Sequence, residues 1–281
     1  MSTESTEVTL TELAPGVAYG NGARPGWQML AATPLVILVG VTGVGKSTTL
    51  EMLQAQAWEF TLLPDRRTVT DQLIIDYMQA IDGAPRQPER DRSKRFAYTR
   101  RYHELFPGGM AHALSQIQVD GALVTRRILF DGLRGEAEVT HAAQALPHAR
   151  FVVLDAPDIV RVRRLLGRSD AFDKISLATA NATTASAAGL ASIGVAGADE
   201  LFTSAEVAEL LALAAPPVGA GTVAVADLRA KVQIVVEERR NYDPQAARAY
   251  LCAHYPQRTL VIDTVKHDAA AVAQRIIAWL P

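Results

Sequence analysis

The chain has 281 residues, of which 49% are hydrophobic and 21% are charged, enough to build a sizeable core in one large domain or two small ones. Its formal net charge of −2 gives no overall electrostatic argument for binding to nucleic acids or membranes. The single cysteine, Cys252, excludes an intramolecular disulfide, and no apolar run has membrane-spanning length, so the sequence predicts a cytoplasmic protein.

Residues 1–33 are rich in turn-forming residues and are interpreted as an N-terminal tail or a loosely docked arm. Beyond them, short apolar runs alternate with segments of helical periodicity. The predicted strands are Leu35–Val39, Phe60–Leu63, Ile128–Phe130, Phe151–Leu154 and Leu260–Ile262. The predicted helices are Lys46–Ala57, Thr70–Ile81, Asp91–Leu105, Glu136–Leu146, Asp158–Gly167 and His267–Leu280. This alternation is typical of a doubly wound α/β domain, whose ligands bind at the carboxyl ends of parallel strands.

A segment of different composition, residues 176–230, interrupts the alternation. It is rich in Ala and has no Lys or Arg between Lys174 and Arg229. A capping box that starts at Thr203 predicts a helix to about Ala215, whereas Ala178–Gly197 is typical of a flexible loop. We interpret the segment as an inserted lid or small subdomain that divides the core into residues 34–175 and 231–281. The alternative for its first half is a disordered linker.

The residues Gly40–Ser47 match the phosphate-loop pattern Gly-x-x-x-x-Gly-Lys-Ser between a predicted strand and a predicted helix. Glycines allow a backbone conformation that aims successive N–H groups at phosphate oxygens. Lysine reaches the β- and γ-phosphates, and the serine hydroxyl binds Mg²⁺. The sequence therefore predicts binding of ATP and Mg²⁺; the chain has no Asn-Lys-x-Asp motif for guanine. The predicted nucleotide-binding residues are Gly40, Val41, Thr42, Gly43, Val44, Gly45, Lys46, Ser47 and Thr48.

A carboxylate at the end of another core strand is expected to serve the same metal as Ser47. Asp131 and Asp155 both follow apolar runs. Asp131 is favoured because the turn Gly132–Gly135 lets the backbone approach a ligand. Asp155 precedes Ala-Pro and is interpreted as a cap of the next helix.

Three arginines, Arg161, Arg164 and Arg168, recur at helical spacing and share one helix face. We expect Arg164 and Arg168 to neutralise charge on the transferred phosphoryl group, beside the hinge of the lid. The alternative is a solvated basic face.

The acceptor side is predicted near the end of the second strand. Asp65 is the expected base for an acceptor hydroxyl, and Arg66, Arg67 and Arg134 are expected to bind an anionic acceptor. These arginines are alternatively plain surface charges. Basic residues interleaved with Tyr98 and Tyr102 would also suit a single-stranded nucleic acid.

Together, the loop Gly40–Ser47, Asp65-Arg66-Arg67, the turn at Ile128–Arg134, the arginine row and Asp263-Thr264 resemble P-loop kinases of the nucleoside-monophosphate-kinase type. Phe130–Val139 is similar to a stretch in archaeal kinase-like proteins related to dephospho-CoA kinase. The resemblance covers residues 35–173 and 259–281. It implies a P-loop NTPase fold with a five-stranded parallel sheet of order 2-3-1-4-5 and a lid after the fourth helix. It also implies that the loop after Thr264 lies near the base.

Three functions remain open at this point. The first is an ATP-dependent phosphotransferase for a small anionic or nucleotide-like acceptor. The second is a P-loop ATPase that couples hydrolysis to a change in a partner, and the third is a polynucleotide end kinase. The arginine row favours the first function, and the net charge disfavours the third.

Overall fold

The computed structural model of the chain describes residues 9–22, 24–124, 127–167, 194–214 and 224–280. The strands in these ranges form two separate sheets. They are β1 (Thr9–Ala14), β2 (Val17–Asn21), β3 (Trp27–Met29), β4 (Leu35–Val39), β5 (Thr61–Leu62), β6 (Ile117–Asp120), β7 (Ile128–Leu133), β8 (Ala149–Asp155) and β9 (Thr259–Asp263).

The α-helices surround one of these sheets and extend beyond it. They are α1 (Lys46–Ala55), α2 (Arg66–Val69), α3 (Asp76–Ile81), α4 (Arg92–Leu105), α5 (Met110–Ser115), α6 (Glu136–Ala145), α7 (Asp158–Leu166), α8 (Ala198–Leu201), α9 (Ser204–Ala214), α10 (Val225–Asn241), α11 (Pro244–His254) and α12 (Ala269–Trp279). A π-helix, Thr70–Ile75, joins α2 to α3. Among the helices described, none has both the length and the apolar character needed to cross a bilayer.

Five strands form a parallel sheet in the order β5-β7-β4-β8-β9. Counted only among these five, the order is second, third, first, fourth and fifth along the chain. Leu38 of β4 pairs with Asp131 of β7, and Asp155 of β8 pairs with Asp263 of β9. The loop after β4 and the acidic residues at the ends of its neighbours therefore share the carboxyl edge of one sheet.

Helices cover both faces of this sheet, because its central strand is apolar throughout and buried at every residue. Leu35, Ile37 and Val39 pack in one core cluster with residues of α5, α6 and α11. Val36 and Leu38 point the other way and pack with residues of α1 and α12. This is a doubly wound α/β arrangement, and each of the five predicted core strands overlaps a strand of the sheet.

The second sheet is antiparallel, with the order β1-β2-β6-β3. Val119 of β6 pairs with Val17 on one side and with Gln28 on the other. The segment 9–29 thus contains strands where the sequence favoured a tail or a loosely docked arm. Its strands have three to six residues and are separated by Gly and Pro, so sequence periodicity is too short to reveal them.

The predicted insertion, residues 176–230, is described only over 194–214 and 224–230, and the rest of it lies outside the described residues. Within it, Thr203 and Glu206 form the predicted reciprocal cap at the start of α9. The predicted return to the core at residue 231 falls inside α10, which is one continuous helix. Apolar residues of α8, α9 and α10 pack with the α7 residues Ile159, Val162 and Leu165 in a third cluster. This segment therefore connects directly to the helix that carries the arginine row.

Candidate functional site

The loop Gly40–Ser47 connects the central strand β4 to α1. Gly43 and Gly45 have φ angles of 86° and 104°, which favour glycine. Gly45 precedes α1 without capping it through a side chain. No side chain among the described residues caps the N–H groups of the first helical turn, and Ser47 and Thr48 are exposed in that turn.

A second reason for glycine at position 43 is contact with α7. A Cβ atom there would lie 3.1 Å from the Cα, Cβ and carbonyl oxygen of Arg161. The loop therefore packs directly on the backbone of α7.

Lys46 lies across the loop. Its Nζ donates hydrogen bonds to the carbonyl oxygens of Gly40 (3.0 Å) and Val41 (3.2 Å) and lies 3.8 Å from Oδ1 of Asp131. Burial lowers the pKa of Lys46, and the carboxylate of Asp131 partly offsets this effect. The lysine and the favoured acidic residue thus meet at the carboxyl edge of the sheet.

The two acidic candidates differ in their partners. Oδ1 of Asp131 is buried and accepts no hydrogen bond from the described residues. The Asp155 carboxylate instead accepts a hydrogen bond from Arg248 (2.9 Å), and the two side chains form an exposed ion pair. Asp155 does not cap α7, since Pro157 stands at that position without a side-chain cap. The available carboxylate oxygen near the loop therefore belongs to Asp131.

Arg164 is the member of the arginine row that faces the edge of the loop. Its guanidinium donates to Gly43 O (3.3 Å), to Thr264 Oγ1 (2.9 Å) and to Thr264 O (2.8 Å). Burial lowers the pKa of Arg164, and Asp263 opposes the shift. The loop after β9 is therefore brought to the phosphate loop by Arg164. Arg168, the other predicted lid arginine, lies outside the described residues.

Arg161 is not part of a solvated basic face. Its side chain is fully buried and donates to Thr42 O (2.8 Å), to Asp158 Oδ1 (2.5 Å) and to Glu238 Oε2. Arg161 thus joins the phosphate loop, α7 and α10.

Glu238 was not indicated by the sequence and lies at the centre of this network. It accepts hydrogen bonds from Thr42 N (3.0 Å), Thr42 Oγ1 (2.6 Å) and Arg134 Nη1 (2.7 Å), in addition to Arg161. Burial raises the pKa of Glu238, but Arg134, Arg161, the hydrogen bond from Thr42 and Lys46 together outweigh burial, so the net shift is downward. Glu238 is therefore a buried carboxylate held by the third residue of the loop and by two arginines.

The predicted acceptor residues lie in different surroundings. Asp65 is exposed and caps α2 by accepting a hydrogen bond from Thr68 N (2.7 Å). Arg66 donates to both carboxylate oxygens of Glu138 (2.6 and 3.0 Å), to Gly132 O and to the hydroxyl of Tyr242.

The remaining two arginines of the acceptor prediction also have acidic neighbours. Arg67 is half exposed and lies 3.8 Å from Asp71, one helical turn away. Arg134 binds Glu238, as described above. Arg66 and Arg134 are therefore paired with acidic residues that are distant in sequence or were not indicated by the sequence pattern.

Comparisons with known proteins add little to this geometry. No protein-family model matches the chain, and no curated protein matches it. The chain is similar to a solved structure described as a gluconokinase from Sinorhizobium meliloti 1021, at 12% identity and over 81% of this chain and 100% of that chain. The TM-score of 0.24 is too low for this similarity to carry an argument about fold or function.

Proposed function

We propose that the chain is an ATP-dependent phosphotransferase that acts on a small anionic acceptor, with nucleotides as the first class to test. The observation that carries the proposal is the phosphate loop itself, in which Lys46 lies 3.8 Å from Asp131 at the carboxyl edge of a parallel sheet. This edge is where α/β sheets bind their ligands.

The roles of the loop residues follow from their positions. The N–H groups of the loop and the first turn of α1 bind phosphate oxygens, because they point out of a helix N-terminus. Lys46 exchanges its bonds to Gly40 and Val41 for phosphate oxygens when the nucleotide binds. Arg164, which reaches Gly43, is close enough to stabilise charge on the transferred group.

The Mg²⁺ ion is assigned to Ser47 and Asp131. Ser47 is exposed in the first turn of α1, and Asp131 offers a buried oxygen that has no hydrogen-bond partner in the described part of the chain. A hydroxyl and a carboxylate are suitable oxygen ligands, and Mg²⁺ usually completes its shell with phosphates and water. When bound, the ion neutralises charge on the β- and γ-phosphates.

On the acceptor side, Asp65 is proposed as the base that accepts the proton of the acceptor hydroxyl. Its exposure at the start of α2 leaves the second carboxylate oxygen open to a substrate. Arg67 is half exposed and is the predicted acceptor arginine that is best placed to meet an anion from solution.

Two alternatives have specific tests. An ATPase that drives a partner would consume ATP without any acceptor. A polynucleotide end kinase would need accessible stacking surfaces, and Tyr102 is only 2% exposed because it packs against Tyr77 and Phe106. This burial disfavours stacking of a single strand on Tyr102.

The decisive experiment measures ADP formation from Mg²⁺ and ATP, alone and with a panel of nucleotides, nucleosides, sugar acids, cofactor precursors and 5′-hydroxyl oligonucleotides. Lys46→Ala is expected to lower turnover about 100-fold or more, since removal of one transition-state donor commonly costs that much. The matched control is Arg275→Ala on the exposed side of α12, which should keep wild-type turnover. A folded Lys46→Ala variant with wild-type turnover would show that the loop is not the site.

A further inference from the structure

The carboxylate of Glu238 lies where the phosphate loop meets α10. Its bonds to Thr42 N, Thr42 Oγ1, Arg134 and Arg161 use a backbone amide, a hydroxyl and two guanidinium groups. These are the donor types that proteins use to hold phosphate oxygens. The site therefore already contains one anion, and that anion belongs to the protein.

Arg134 is only partly engaged by Glu238. Its Nη1 donates to Glu238 Oε1 at 2.7 Å, whereas its Nε is buried without a hydrogen-bond partner among the described residues. The aromatic ring of Tyr242 lies beside this guanidinium group, with its centroid 5.8 Å from the guanidinium carbon of Arg134. A buried donor without a partner is costly, so Arg134 gains from a second anion that reaches it.

The charges around Glu238 define where that second anion arrives. Lys46, the lysine that contacts the β- and γ-phosphates in this type of loop, donates a hydrogen bond to Val41 O (3.2 Å), and the next residue, Thr42, binds Glu238 through its amide and its hydroxyl. Asp158 is the other acid of the cluster, and Arg161 and Arg239 hold it. The terminal phosphate of a triphosphate therefore brings negative charge close to Glu238, whereas a diphosphate brings less.

We propose that Glu238 is the specificity residue that distinguishes a nucleoside triphosphate from a diphosphate: it holds Arg134 when the terminal phosphate is absent and releases Arg134 to that phosphate when it binds. This inference rests on the proposed function of the loop as a nucleotide site. Glu238 belongs to α10, which packs with α7, α8 and α9. A displacement of Glu238 on binding of the terminal phosphate would therefore also shift these helices. No covalent step is involved.

The test compares the affinity of the full-length chain for a non-hydrolysable ATP analogue and for ADP, both with Mg²⁺, by calorimetric titration. Glu238→Gln keeps the size of the side chain and removes its charge. It should tighten binding of the triphosphate analogue about fivefold or more, the low end of measured couplings between sites, and change ADP binding less than twofold. The matched control is Glu237→Gln, the preceding residue, which bonds to Gln233 within α10 and should change neither affinity.

A second variant keeps the proposal testable if Glu238→Gln does not fold. Arg134→Gln should weaken binding of the triphosphate analogue about fivefold or more and leave ADP binding within twofold. Equal changes for both nucleotides in either variant, or the same change in Glu237→Gln, would overturn the proposal and leave Glu238 with a structural role. A wild-type chain that binds neither nucleotide would instead overturn the proposed function.

Discussion

Substituting Arg161 by Met tests whether the buried network holds the phosphate loop to α7 and α10. The guanidinium of Arg161 is fully buried, and it bonds to Thr42, Asp158 and Glu238. Removing one partner of a buried ion pair costs about 3–5 kcal/mol. Asp158 retains Arg239 and Glu238 retains Arg134, so we expect the lower end, about 3 kcal/mol of unfolding free energy.

The assay is thermal unfolding followed by circular dichroism. For a chain of this size, 1 kcal/mol corresponds to about 2–4 °C in Tm, so Arg161→Met should lower the Tm by about 6–12 °C. The control is Arg163→Met on the same helix. Arg163 is 49% exposed and pairs with Glu209 at the surface, and exposed pairs contribute only about 0–1 kcal/mol. Its Tm should therefore fall by less than about 4 °C.

Equal shifts for the two variants would refute this reasoning, because they would mean that the buried pairs contribute no more than a surface pair. A large Tm shift for Arg161→Met with unaltered nucleotide affinity would refute the idea that the network positions the phosphate loop. In that case the network would stabilise the fold without positioning Thr42.

Three further outcomes are expected. Asp131→Asn should lower Mg²⁺-dependent ADP formation more than Asp155→Asn does, because the carboxylate of Asp155 is already paired with Arg248. A larger loss of ADP formation in the Asp155 variant would reverse the assignment. Arg164→Ala should lower kcat more than it raises KM for ATP, since charge stabilisation acts mainly in the transition state; a rise in KM alone would limit Arg164 to binding. Burial lowers the pKa of both His112 and His141, and the charge of His141 lowers the pKa of His112 further. The folded state therefore binds protons less readily than the unfolded chain. The Tm should therefore fall as the pH drops below about 6.5, less steeply in His141→Gln, and identical slopes would place the effect on other groups.

The core of the fold was accessible from the sequence because its signals are local. A five-residue apolar strand followed by Gly40–Ser47 and a helix can be recognised without knowing any distant partner. The meeting of Lys46 and Asp131 also followed, since parallel strands end at a common edge. The N-terminal strands were missed because they are short and because β2 and β3 both pair with β6, which follows β3 by about 90 residues.

The missed parts of the site have the same cause. Glu238 is 196 residues from Thr42 and 77 residues from Arg161, and the run Glu-Glu-Arg-Arg around it has no periodicity that selects it. The pairing of Arg66 with Glu138, 72 residues later, was likewise not indicated by the sequence. Pairings of buried charges depend on tertiary contacts, which spacing along the chain does not encode.

The position of β6 between β2 and β3 also has a consequence for how the chain is made. The β1–β2 hairpin forms from neighbouring residues, but its β2 edge and the whole of β3 must wait for Ile117–Asp120. At about 5–20 residues per second, roughly 90 residues of synthesis take about 5–20 s. Throughout that interval the hairpin presents an open strand edge, which can pair with other chains. Translation speed between residues 29 and 117 therefore sets how long the nascent chain is exposed to this side reaction.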